Sequence, residues 1–136
     1  MFRRADVIAT GDVFNTTAYP VIDLKREGSV QGEIAALNDI LSRTVYEHEE
    51  DGGTIIIPGH GYVCNEHEVL EYRDMMVIIR DRVREMINKG ATLQQVKAAR
   101  LTADYDTRYG ANSGPWTTEM FVEAVYNSLK NPPAAK

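Results

Sequence analysis

The sequence predicts an α/β chain in which helices outnumber strands and the sheet is too small to stand alone. Three observations carry this. Two short apolar runs, D-V-I-A-T at Asp6–Thr10 and T-I-I-I at Thr54–Ile57, read as buried strands, each halted by glycine. Long stretches between and after them repeat apolar residues at spacings of three and four, the period of helices packed on one face. Two buried strands do not make a self-sufficient sheet, so the chain reads as a piece of a larger fold.

The elements follow in order. Gly11-Asp12 marks a turn after the first strand, and residues 13–28 read as a long loop with a brief extended piece at Val21-Ile22-Asp23. Ser29 is placed to cap a helix from Val30 to about Tyr46, with Ile34, Leu37, Leu41 and Val45 as its apolar stripe. Residues 47–53 read as an acidic turn, and the second strand is expected to end in Pro58-Gly59-His60-Gly61. Asn65 caps a second helix, whose stripe is Val69, Tyr72, Met76, Ile79, Val83 and Met86 and whose end is Lys89-Gly90. Thr92 and Gln95 make a capping box for a short helix to about Arg100. Residues 101–114 read as loop. A last helix opens at Pro115–Thr118 and buries Phe121, Val122, Val125 and Leu129, and the tail 132–136 reads as disordered. Met75-Met76 read as core packing, and Trp116 as an anchor for the last helix.

Composition bounds the function. The 136 residues suffice for one core, and 15 basic against 20 acidic residues give a charge of −5, the wrong sign for a general nucleic-acid binder. The single cysteine, Cys64, excludes an internal disulfide framework and a multi-cysteine zinc module. No apolar run reaches membrane-span length, and the Arg3-Arg4 start lacks the apolar stretch of a signal peptide. The expectation is a cytoplasmic chain with no nucleic-acid or membrane partner, although a longer parent protein would be free to carry an export signal.

Two motifs place a potential metal ligand after a strand: Thr10-Gly11-Asp12 and Ile57-Pro58-Gly59-His60-Gly61. Strand ends are rigid enough to hold a ligand, and the glycines let the backbone turn beside it. Aspartate offers a hard anionic oxygen and histidine a neutral nitrogen, and both suit zinc. Taken singly, Asp12 reads as a turn residue, whereas a histidine between two glycines has little packing purpose. Cys64 and His67 follow His60 at short spacing, but they read more simply as a small buried residue and a solvent-facing residue of the first helical turn. His48 sits among acidic residues and reads as a surface side chain.

The order and spacing of these motifs resemble the last two metal-ligand motifs of the metallo-β-lactamase-fold hydrolases. The loop from Phe14-Asn15 through Tyr19-Pro20 to Asp23 and Gly28-Ser29, the helix at Glu33–Leu41, the strand at Thr54–Pro58 and the Glu71-Tyr72-Arg73-Asp74 helix extend the likeness from Phe2 to about Leu129. The resemblance implies half of an αββα sandwich over residues 1–131, a short sheet with outer helices. It implies that Asp12 bridges two zinc ions, that His60 ligates the second, and that the metals activate a water for hydrolysis. Tyr19, Asp23 and Tyr62 are candidate substrate-pocket residues, with Arg108 beside them. The family's H-x-H-x-D-H motif is missing, since only His48, His60 and His67 are present. A catalytic zinc needs about three protein ligands, so this chain alone is expected to bind zinc weakly or not at all.

Three arrangements remain open at this level. The chain is the C-terminal portion of a hydrolase completed by a missing N-terminal half. Or it is a non-catalytic remnant that folds as a homo-oligomer, a homodimer in the simplest case. Or such a dimer brings Asp12 and His60 of both copies together.

Overall fold

Gly11 has φ +57°, a left-handed conformation that an L side chain adopts only with strain, although a Cβ there would meet no neighbour. The first strand therefore does not stop where glycine led us to expect. In the computed structural model, which describes residues 7–43, 55–60 and 64–131, β1 runs from Val7 to Asn15. It pairs in parallel with β2, Ile55–His60.

The pairing is regular for Val7↔Ile55, Ile8↔Ile56 and Ala9↔Ile57, then slips to Gly11↔Pro58 and Asn15↔His60. From Gly11 to Asn15 the first strand advances four residues while its partner, from Pro58 to His60, advances two. The surplus is taken up as an irregular bulge, and the left-handed glycine at its start lets the strand absorb extra residues and continue. A third strand, β3, is the two residues Cys64–Asn65, antiparallel to β2. The order β1-β2-β3 makes a small sheet beside a predominantly helical body, an α/β chain as expected.

A parallel pair needs a crossover. Helix α1, Val30–Ser42, lies within it, capped by the Ser29 hydroxyl, which accepts from the Gly32 amide at 2.9 Å. Val30, Ile34, Leu37 and Ile40 are buried. The described helix ends at Ser42, while Val45 and Tyr46 lie outside the described residues. Helix α2, Glu66–Asn88, is capped by Asn65, buries Val69, Tyr72, Met75, Met76, Ile79 and Val83, and ends before Gly90 at φ +85°. The Thr92–Gln95 capping box opens α3, which runs Leu93–Ala98 and ends two residues before Arg100.

Residues 101–114 are not all loop: Ala103–Tyr109 form α4. Its sequence, A-D-Y-D-T-R-Y, has no apolar stripe and its Thr102 cap makes no side-chain hydrogen bond. Tertiary contacts hold it instead. Arg82 donates two bonds to Asp104, at 2.8 and 3.1 Å, and Tyr109 is buried against Tyr72 and Tyr19. The last helix, α5, spans Thr118–Lys130 with Thr117 as cap, and buries Phe121, Val122, Ala124 and Val125. Among the described residues no helix is long and apolar enough to cross a membrane.

The segment after β1 reaches into the core. Tyr19 stacks on Phe121 with ring centroids 4.3 Å apart and planes within 2°, and Phe14 meets Tyr72 edge-on at 5.1 Å. The extended piece expected at Val21-Ile22-Asp23 is irregular, and it leads into a single 3-10 turn at Leu24–Arg26. Within β2 the two isoleucines differ: Ile56 is fully buried and Ile57 is 41% exposed. The helices cover one face of the strand pair.

Candidate functional site

The two expected metal ligands stand on neighbouring strands. Asp12 lies on the bulged stretch of β1, between the Gly11↔Pro58 and Asn15↔His60 pairs. His60 is the last residue of β2, opposite Asn15. Because the strands are parallel, both positions fall toward the same, C-terminal edge of the sheet. Both residues lie within the assigned strands rather than past their ends, because the bulge carries the pairing through Asp12. Their chemistry, one carboxylate and one imidazole, suits zinc. Among the described residues no group of three or more His, Cys, Asp or Glu side chains gathers in a way that could hold a metal.

His67 is exposed in the first turn of α2, its Nε2 3.2 Å from Glu71 Oε1, an ordinary i,i+4 surface pairing. Cys64 pairs through its backbone with Ile56. His48 and Tyr62 lie outside the described residues.

Of the other pocket candidates, Tyr19 is 2% exposed. Its hydroxyl donates to Asp106 Oδ1 at 2.8 Å and to the Thr102 carbonyl at 3.3 Å. Burial, then the Asp106 carboxylate, push its ionisation far above the ordinary phenol range. The ring ties the post-β1 segment to α4 and α5. Asp23 is exposed, and its carboxylate accepts from the Lys25 amide at 3.1 Å to cap the 3-10 turn. It also edges a cleft of about 530 Å³ whose walls include Val21, Leu24, Trp116 and Met120. Arg108 donates to the Thr16 carbonyl at 3.3 Å, pairs with Glu68 at 3.4 Å, and lies 5.0 Å over the Tyr109 ring. It straps α4 to α2 and to the end of β1.

One group escaped the sequence reading. Glu33 is largely buried in α1, its Oε1 has no hydrogen-bond partner among the described residues, and burial pushes its carboxyl up to about 8. The signal was available: Glu33 is three residues after buried Val30 and four before buried Leu37, so an acid occupies the apolar stripe. A second cavity, of about 260 Å³, lies among α3, α4 and α5. Its lining comes from separate stretches of chain, so no local pattern announces it.

No protein-family model, no curated protein and no solved structure matches this chain.

Proposed function

We propose that the chain is the C-terminal portion of a metal-dependent hydrolase of the metallo-β-lactamase type, with Asp12 and His60 as zinc ligands. The observation that carries the reading is the register of the parallel pair, which sets Asp12 and His60 on adjacent strands at one edge of the sheet. A bulge on the strand bearing Asp12 is the kind of irregularity that re-aims side chains beside active sites. Bound zinc supplies Lewis acidity and an activated water. Asp12 contributes an anionic oxygen and His60 a neutral nitrogen. With two ligands in place of about three, the remaining donors come from an N-terminal half carrying H-x-H-x-D-H or from a second copy of the chain.

Zinc competition against a chromophoric chelator tests this on the full chain. The expected result is weak zinc binding that falls at least about tenfold in both Asp12→Ala and His60→Ala. Identical zinc binding by the parent and both variants removes the reading.

A second reading rests on a separate observation. The T-I-I-I run is apolar on both faces, as a doubly covered strand is, yet Ile57 and its register partner Ala9 are exposed while Ile56 is buried. That favours a non-catalytic homo-oligomer in which a second copy covers the open face. Light scattering of the purified chain decides it: a stable monomer counts against this reading and leaves the first standing.

A further inference from the structure

The cavity among α3, α4 and α5 shares no residue with the strand-end pair and does not depend on it. Its lining carries both signs of charge, Lys97 and Arg100 against Asp106 and Glu119, together with Asn112. Several of its polar groups are already engaged. Lys97 Nζ pairs with Glu123 at 3.0 Å, Asp106 Oδ1 accepts from Tyr19, and Thr118 Oγ1 accepts from the Ala111 amide at 2.9 Å. The side chains of Arg100, Asn112 and Glu119 make no hydrogen bond or ion pair with the described residues. A cation, an anion and a neutral amide, all unengaged, thus line one hollow.

Arg100 adds a second argument. Its φ is +50°, at the position where α3 stops. Helix ends of this form are normally glycine or asparagine, and a left-handed residue with a Cβ costs about 1 kcal/mol or more. Arg100 holds this conformation at a backbone cost, and it is one of the residues that line the cavity.

The charges on the lining cancel, two against two, so the hollow has no net field to gather a simple anion or a simple cation. A lining that carries both signs instead matches a ligand that carries both. The volume, about 260 Å³, lies below the roughly 300–1,000 Å³ of sites for drug-sized molecules. The geometry points to a small zwitterion of the α-amino-acid class, its carboxylate held by the forked Arg100 guanidinium and its ammonium by Glu119. Asn112 supplies a further hydrogen bond. Asp106, held by the buried Tyr19 hydroxyl, adds a second carboxylate to the lining.

Calorimetric titration and thermal-shift measurements on the full chain test this with free L-alanine, L-glutamate and L-lysine. Each is compared with its N-acetyl form, which lacks the ammonium, and its methyl ester, which lacks the carboxylate. Acetate serves as a plain anion. At least one free amino acid should bind saturably at millimolar concentration or below and raise the melting temperature. Its blocked forms should bind at least about tenfold more weakly. Arg100→Gly, which relieves the left-handed strain and so keeps the fold, and Glu119→Gln should each weaken binding by a similar factor. The proposal is overturned if none of the three amino acids binds, if blocked forms or acetate bind as tightly, or if both variants bind as the parent does.

Discussion

The Tyr19 hydroxyl donates to Asp106 across 2.8 Å while the Tyr19 ring lies flat on Phe121, so one side chain joins the segment after β1 to both α4 and α5. Removing the hydroxyl and removing the ring are therefore separable. Tyr19→Phe keeps the stack and loses a hydrogen bond to a charged acceptor, which costs about 1.5–3 kcal/mol. Tyr19→Ala also opens a cavity in the aromatic cluster, and by the scale of large aromatic truncations costs about 3–5 kcal/mol. Urea unfolding of the two variants checks the order. Equal losses would mean that the ring contributes nothing beyond the hydroxyl.

That pairing also marks how far the sequence can be read. Helices α1, α2 and α5 were legible because caps and apolar stripes are local signals: Ser29 before Val30, Asn65 before Val69, and the spacing of Phe121, Val122 and Val125 in the last helix. The two apolar runs were legible as strands for the same reason. Helix α4 was not, because Ala103–Tyr109 has no stripe and is held by Arg82 and by the aromatic rings of distant segments. The extent of β1 was missed because Gly11 read as a stop, whereas its left-handed φ begins a bulge whose existence depends on the register of β2. For the candidate site, sequence offered the residue types at Asp12 and His60, and only the pairing of β1 with β2 brings their backbones to one edge.

Glu33 makes stability depend on pH. Its folded carboxyl keeps its proton up to about 8, whereas in the unfolded chain it ionises near the ordinary value of 4.5. Between those two values the folded state binds more protons, so this group's contribution to stability falls as pH rises through that window and is level on either side. Glu33→Gln removes the titration and leaves an uncharged side chain of similar shape. The difference in urea midpoint between variant and parent should grow in the variant's favour from about pH 5 to about pH 8. A difference that stays constant across that range would show that Glu33 titrates normally.

Gly11 sits where β1 begins to slip against β2, at φ +57° with open space around its missing Cβ. Gly11→Ala therefore meets a conformational penalty and no clash, and should cost about 1–2 kcal/mol. Gly11→Val, with a β-branched side chain that tolerates positive φ least, should cost more. The same two substitutions shift the backbone that carries Asp12, so zinc affinity should fall along with stability. Loss of stability with undiminished zinc binding would separate the bulge from the metal reading.

Ile56 and Ile57 are adjacent in β2 with opposite surroundings, one fully buried under the helices and the other 41% exposed. Truncation of Ile56 to alanine removes core contacts and should cost about 2–5 kcal/mol. Ile57→Lys in an isolated chain changes only a surface position, and its effect should stay within about 0.5 kcal/mol. If a second copy covers that face, the same lysine lies in an apolar interface without a partner, and the cost of burying its charge pushes the equilibrium to the monomer. Light scattering of the parent and of Ile57→Lys at matched concentrations reads this directly. The expected outcome is a dimer that becomes a folded monomer on substitution, with an unchanged circular dichroism spectrum. A parent and variant of equal mass would leave the open face of the sheet without a role in self-association.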